Sequence, residues 1–190
     1  MIRELIVKNR SYRRFDHSVK IPIDSLRKWV ELARFSASGR NMQPLKFILC
    51  NSQQVTNEIF PNVGWAGYLT HWKGPAENEK PSAYIIVVHD KKVADGYFCD
   101  DGIAVQSILL GAVEDGYGGC IIGTINKSKV AKIVNLPDNL EILWLVALGK
   151  PAEEVVIDDV KDGDIKYWRA DDGIHHVPKR TLDEIIIKEM

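Results

Sequence analysis

The chain has 190 residues, 45% hydrophobic and 27% charged, a composition that excludes disorder as the main state and fits one domain with a real core. Its 25 Lys and Arg against 26 Asp and Glu give a formal net charge of -1, so no global field draws nucleic acid. No apolar run approaches the roughly 18 residues of a membrane span, so no membrane partner is expected.

The balance hides an asymmetry. Residues 1–50 carry 11 basic side chains against 4 acids, and the remainder 14 against 22. A local phosphate or carboxylate site and a solvated helix face both fit that excess. Met1-Ile2-Arg3-Glu4-Leu5 has no long apolar run after a basic start, so secretion is not expected. Cys50, Cys99 and Cys120 are odd in number and far apart, which fits reduced thiols in a cytoplasm, held as small core residues rather than nucleophiles.

In chain order, Leu26, Trp29, Val30 and Ala33 mark an amphipathic helix with Asp24 as its N-cap, stopping near Ser36-Ala37-Ser38-Gly39. Lys46–Cys50 reads as a short strand and Ala83–Val88 as one buried on both faces. Asp100-Asp101 open a helix, Gly102–Glu114, that is apolar on nearly every side and is therefore buried or packed on a partner subunit. Gly116-Tyr117-Gly118-Gly119 stops it and leads into a strand at Cys120–Ile122. A short helix starts at Asn126 or Ser128 and runs to Val134, and Glu141–Leu148 is the strongest strand, followed by Gly149-Lys150-Pro151. Beyond it, Val155–Ile157 is extended. Turns at Asp162-Gly163 and Asp172-Gly173 flank Ile165–Arg169 and Ile174–Val177. That tail has too little core to stand alone and must lie on the body or on a neighbouring subunit. Helices interleaved with buried strands indicate an α/β or α+β layer architecture.

Three segments carry candidate chemistry. In Asn9-Arg10-Ser11-Tyr12-Arg13-Arg14-Phe15 the arginines offer forked donors for phosphate or a carbonyl edge, and Ser11 a small hydroxyl. Ser36-Ala37-Ser38-Gly39-Arg40-Asn41-Met42-Gln43-Pro44 is either a plain helix-to-strand turn or a loop that lays backbone and amides against a flat ligand. The glycines of Gly116–Gly123 run from helix into strand, the wrong order for a dinucleotide fingerprint. Trp65, Tyr68 and Trp72 form an aromatic stretch between Gly64 and Gly74 that fits packing or acceptor stacking. His175 and His176 are adjacent in an extended stretch and point to opposite faces. No metal site is therefore expected there; a solvated hairpin tip is the alternative.

Taken together, R-S-Y-R-R-F, S-A-S-G-R-N-M-Q-P, D-D-G-I-A-V-Q-S-I-L-L-G-A-V-E-D-G-Y-G, C-I-I-G and L-V-A-L-G-K-P-A-E stand in the order and spacing of the FMN-dependent nitroreductase family, which the whole chain resembles. The resemblance implies an α+β fold of three layers, α/β/α, with a mixed central sheet, as an intertwined homodimer of single domains whose residues from about 151 form an extension. It implies FMN as cofactor and NADH or NADPH as electron donor, with nitroaromatics, quinones or activated double bonds as acceptors. No acid-base pair or nucleophile is then required of the protein, because the flavin carries the chemistry. By the same resemblance Arg10 and Ser11 hold the FMN phosphate and ribityl chain, and Arg13 approaches the pyrimidine edge. Ser38, Gly39 and Asn41 come from the other subunit, with Gln43 close by. Ile122 and Gly123 present backbone N–H groups to the ring, Lys179 and Arg180 reach the phosphate, and Trp65 and Tyr68 stand near the acceptor. A flavin-binding storage, sensing or interaction module without turnover is the competing reading.

Overall fold

In the computed structural model, which describes all 190 residues, the elements are α1 (Ile2–Lys8), β1 (Phe15–Asp16), α2 (Ile23–Phe35), β2 (Leu45–Cys50), α3 (Gln53–Ile59), β3 (Ala83–Asp90), α4 (Asp100–Glu114), β4 (Gly118–Ile122), α5 (Lys127–Ile133), β5 (Leu140–Pro151), β6 (Val155–Asp159), β7 (Trp168–Arg169), β8 (His175–Lys179) and α6 (Leu182–Ile185). The central sheet has the order β1-β5-β3-β2, with β4 also paired to β5. Its ladders are antiparallel, and a parallel bridge between Ser11 and Gly119 makes it mixed. No helix is long and apolar enough to cross a membrane.

The three layers follow from β3. Its side chains alternate between faces, and both faces must be apolar. Ala83, Ile85 and Val87 pack with Leu26 and Trp29 of α2 and Val105 and Ile108 of α4. Tyr84, Ile86 and Val88 pack with Ile59 at the end of α3 and Val130 of α5. Helices therefore cover both sides of one sheet. Burying a side chain the size of Leu26 or Ile85 contributes about 1.5–3 kcal/mol, which is why so apolar a strand lies at the centre.

The helix and strand ends differ from the sequence reading where pairing partners intervene. The N-cap of α2 is Pro22, in the extended conformation at φ −61° and ψ 148°; Asp24 sits inside the first turn, where its charge meets the positive helix end. Of the two starts considered for α5, Asn126 is the cap, its side chain accepting from the Lys129 amide at 3.3 Å. The glycine stop after α4 is a Schellman closure: Gly116 has φ +78°, its N–H donates to Val113 O, and Tyr117 N–H donates to Ala112 O. The strongest strand does not end at Leu148. It continues through Gly149-Lys150-Pro151 because Phe15 and Asp16 pair with Pro151 and Lys150, and a Cβ on Gly149 would stand 2.7 Å from the Phe15 ring.

The tail folds as a second, three-stranded sheet, β6-β8-β7, with β6 and β8 parallel. The Asp172-Gly173 turn joins β7 to β8 as read from sequence, although β7 is only Trp168–Arg169. The histidine pair is not a solvated tip. His176 is half-buried against Asp158 at 2.8 Å, whereas His175 is wholly inaccessible. Cys50 and Cys120 are core residues, but Cys99, just before α4, is exposed. Burial pushes the Cys50 thiol up to about 11, so it carries no thiolate at neutral pH.

Candidate functional site

The Ser11–Gly119 bridge, with Tyr12 N–H donating to Gly119 O at 3.0 Å, lays the arginine segment along β4. Two of the motif segments thereby meet. At the far end of β4, Gly64 N–H donates to Thr124 O at 2.8 Å and Val63 bridges Ile125, which draws the aromatic stretch to the same place. The result is a cleft of about 160 Å³ whose walls include Arg13, Trp65, Cys120, Ile122, Gly123 and Tyr167. It is too small for a mononucleotide, since drug-sized ligands occupy about 300–1,000 Å³; it admits one edge of a planar ring.

Arg13 dominates the electrostatics of that cleft. Its Nη1 donates to Ser11 O at 3.2 Å and to His175 Nε2 at 3.1 Å, and its guanidinium carbon lies 4.7 Å from the Tyr167 ring centroid. The neighbouring arginines are compensated. Arg14 is paired with Glu79, its Nε 2.7 Å from Oε1, and Arg169 Nη2 lies 2.7 Å from Glu153 Oε2. Glu153, whose side chain is inaccessible, also accepts from the backbone N–H groups of Arg13 and Arg14, so one carboxylate ties the arginine segment to β7. Burial pushes the His175 imidazole down to about 4, assisted by the positive charges of Arg13 and Arg169. His175 is therefore neutral at pH 7.

Arg10 lies outside the walls of the cleft. Its Nη2 donates to Ile6 O at 2.8 Å, while its Nε is buried with no protein acceptor. Burial also lowers the guanidinium pKa from its ordinary value. A cation whose buried donor lacks a partner fits an anionic group such as phosphate. The chemistry of the donor set, two arginines and a serine hydroxyl beside a strand end, thus fits a phosphorylated flavin.

The loop after α2 lies elsewhere in the chain. Ser38 and Gln43 line a separate cavity of about 600 Å³ with Val30, Leu45, Phe47 and Ala104. The loop is held to the start of α4: Ser38 Oγ donates to Asp100 Oδ2 at 2.6 Å, Gly39 N–H to Asp100 Oδ1 at 2.8 Å, and Gln43 N–H to Ser38 Oγ at 2.9 Å. Arg40, Asn41 and Gln43 all have positive φ, at 52°, 57° and 54°. Strain of that kind costs of order 1–3 kcal/mol per residue and clusters at ligand-contacting loops. One chain does not bring Ser38, Gly39, Asn41 and Gln43 together with Arg13, Ile122 and Gly123.

Trp65 lines the small cleft, its ring 6.0 Å from Phe60 and its Nε1 buried without an acceptor. Tyr68 is about half exposed, with its ring 4.9 Å from that of Tyr167. Lys179 and Arg180, at the end of β8, are exposed and outside the cleft walls, and Arg180 Nη1 lies 3.2 Å from Glu184. The residues alone assign no role to Tyr167, Glu153 or Asp100, and they read His175 as part of a solvated hairpin tip rather than as a partner of Arg13. The Asp172-Gly173 hairpin was the available signal for His175, because its register sets Arg169 opposite it.

The model of the Nitroreductase family matches residues 6–150. An iodotyrosine deiodinase of Thermotoga neapolitana is 26% identical over 170 residues, covering 80% of this chain and 89% of that protein. An oxygen-insensitive NADPH nitroreductase of Helicobacter pylori is 24% identical over 188 residues, covering 80% and 88%. Among solved structures, a nitroreductase family protein of Clostridium novyi superposes with a TM-score of 0.66 at 26% identity, covering 94% of each chain.

Proposed function

The chain belongs to the nitroreductase family, and from that premise we propose that it is an FMN-dependent oxidoreductase, drawing electrons from NADH or NADPH and passing them to an electron-poor acceptor such as a nitroaromatic, quinone or activated double bond. The observation that carries the reading is the cleft at the end of β4, where Arg13 stands beside Ile122 and Gly123 with no carboxylate on its guanidinium. When bound, FMN supplies two-electron transfer between donor and acceptor, with negative charge gathering at its pyrimidine edge on reduction.

The residues of the chain bind and orient. Arg10 and Ser11 hold the phosphate and ribityl chain, with the orphaned Arg10 Nε giving the anion a reason to sit there. Arg13 offers a positive charge to the pyrimidine edge. Ile122 and Gly123 present backbone N–H groups to the ring. Trp65, in the cleft wall, and Tyr68, half exposed beside Tyr167, offer ring faces on the side where the acceptor rests.

A cleft of about 160 Å³ leaves most of a mononucleotide without a wall, which supports a homodimer in which Ser38, Gly39, Asn41 and Gln43 of a second copy complete the site. The α4 helix supports the same arrangement: Ile103 remains 36% exposed and Gly102 and Gln106 are open on the face that does not meet α2. Lys179 and Arg180 reach the phosphate in that assembly, and each copy forms one domain with its extension.

Purified protein is expected to be yellow and to bleach on anaerobic addition of NADH or NADPH. A protein that takes up no FMN sinks the flavin reading. One that holds FMN but bleaches with neither donor is instead a binding module.

A further inference from the structure

We propose that His175 is the positioning residue for Arg13: a neutral acceptor that fixes the guanidinium at the cleft while leaving its charge uncompensated. The inference rests on the reading of that cleft as the site of the flavin ring and assigns a role to the C-terminal sheet, which no motif of the chain announces.

Three arginines near the cleft differ in how their charge is met. Arg14 has the Glu79 carboxylate and Arg169 has the Glu153 carboxylate, each pair close to cancelling its own field. Arg13 alone is held without an anion on its side chain. Its Nη1 meets His175 Nε2 at 3.1 Å and the Ser11 carbonyl at 3.2 Å, and the flat of the guanidinium lies over Tyr167 at 4.7 Å. Glu153 is close enough to bond the Arg13 backbone N–H, but its second oxygen faces Arg169. The fold thus has a carboxylate within reach and directs it away from the Arg13 head group.

Because Arg13 is always a donor, His175 Nε2 must be the acceptor, and the ring proton resides on Nδ1. That Nδ1 is buried with no partner, which is costly to retain in an inaccessible side chain. An apolar residue would avoid the cost and pack as well. What histidine adds is a lone pair of fixed direction with no charge. The imidazole is itself located by the Tyr167 ring, 5.3 Å away, and by β8, whose pairing with β6 and β7 fixes the backbone. Tyr167 and His175 thus form two walls of a socket in which one guanidinium fits.

If the Arg13 charge reaches the flavin undiminished, it favours the reduced, more negative ring over the oxidised one, and the midpoint potential of bound FMN reports it. The test compares the FMN-loaded parent with H175Q, H175M, H175E and R13Q by dye-equilibrated reduction, together with FMN dissociation constants from fluorescence titration. H175Q restores a neutral acceptor and is expected to keep the parent potential. H175M, of similar volume without a strong acceptor, and H175E, which neutralises Arg13, are expected to lower it by about 30 mV, a tenfold change in the affinity ratio of reduced to oxidised flavin for a two-electron couple. R13Q is expected to fall at least as far, and H175M in the R13Q background to fall no further.

Equal potentials in H175Q and H175M overturn the proposal, as does a further fall when H175M is added to R13Q. If H175E does not fold, the comparison of H175Q with H175M decides alone. A parent that takes up no FMN overturns the flavin reading and the proposal together, whereas a parent that binds FMN and shows no dependence on residue 175 overturns the proposal only.

Discussion

Asp100 grips Ser38 through a 2.6 Å hydrogen bond from the serine hydroxyl, and its other oxygen takes the Gly39 N–H at 2.8 Å. The carboxylate is 3% exposed and sits in the first turn of α4, where the helix dipole favours its charge. A loop with three non-glycine residues at positive φ is thereby fixed to the most apolar helix of the chain.

Asp100→Ala removes both acceptors and leaves the Ser38 hydroxyl proton and the Gly39 amide without partners, while Ser38 Oγ still accepts from Gln43 N–H. Hydrogen bonds to a charged group contribute about 1.5–3 kcal/mol each, and a buried donor left alone costs a similar amount. The variant is expected to be about 2–4 kcal/mol less stable in urea unfolding. If the site is shared between copies, it is also expected to lose FMN more readily. A midpoint unchanged within error would show that the loop holds its shape without the carboxylate.

Glu153→Gln should be among the most damaging single changes in the chain. The wild-type carboxylate serves two backbone amides and Arg169 from a side chain with no accessible surface. An amide can satisfy the N–H groups with its oxygen, but its NH₂ then faces the Arg169 guanidinium. Breaking a buried pair from one side typically costs about 3–5 kcal/mol. Thermal unfolding is the check, with E153Q expected well below the parent and the double variant E153Q/R169M recovering part of the loss.

The fold was legible where one physical requirement decides the residue type. A strand buried on both faces must be apolar throughout, as Ala83–Val88 is, and a helix stop with positive φ calls for a glycine, as at Gly116. What the residues alone hid were long-range polar contacts. Asp100 reads as an ordinary acid in a helix first turn, and its grip on Ser38 spans 62 positions. His175 reads as a hairpin residue, and its contact with Arg13 spans 162. Neither has a local period. The cleft likewise draws walls from four distant stretches, of which Tyr167 lies in a segment whose only sequence signal was a turn on either side.

Stability should fall on mild acidification because of His175. Its folded pKa, near 4, lies below the ordinary 6.5, so between those values the unfolded chain binds a proton that the folded chain does not. Unfolding free energy therefore rises with pH across that window, and it is lost as pH drops from about 6.5 toward 4. Burial is the main cause, and Arg13, Arg169 and His176 all face the ring with like charge once it protonates. The loss is of order 3 kcal/mol by the conversion of about 1.4 kcal/mol per pKa unit. Urea unfolding at pH 7, 5.5 and 4.5 measures the slope, and H175Q, which cannot titrate, is expected to show a shallower one. Below about pH 4 a second decline begins, from Glu79 and Asp115, whose ion pairs with Arg14 and Lys28 hold their carboxyls below the usual range.

Arg10→Ala tests the phosphate assignment with little risk to the fold, since the side chain makes one hydrogen bond within the chain, to Ile6 O, and leaves its buried Nε unpaired. Losing a charge-assisted phosphate contact weakens binding by about 1.5–3 kcal/mol, roughly a 10- to 150-fold rise in the FMN dissociation constant. Unfolding stability without FMN should stay within about 1 kcal/mol of the parent, because removing the arginine also removes an unsatisfied buried donor. The comparison with riboflavin sharpens the test: because riboflavin lacks the phosphate, its affinity should fall far less between the parent and R10A than that of FMN. An equal loss for both ligands would mean that Arg10 supports the site through α1 rather than by holding an anion.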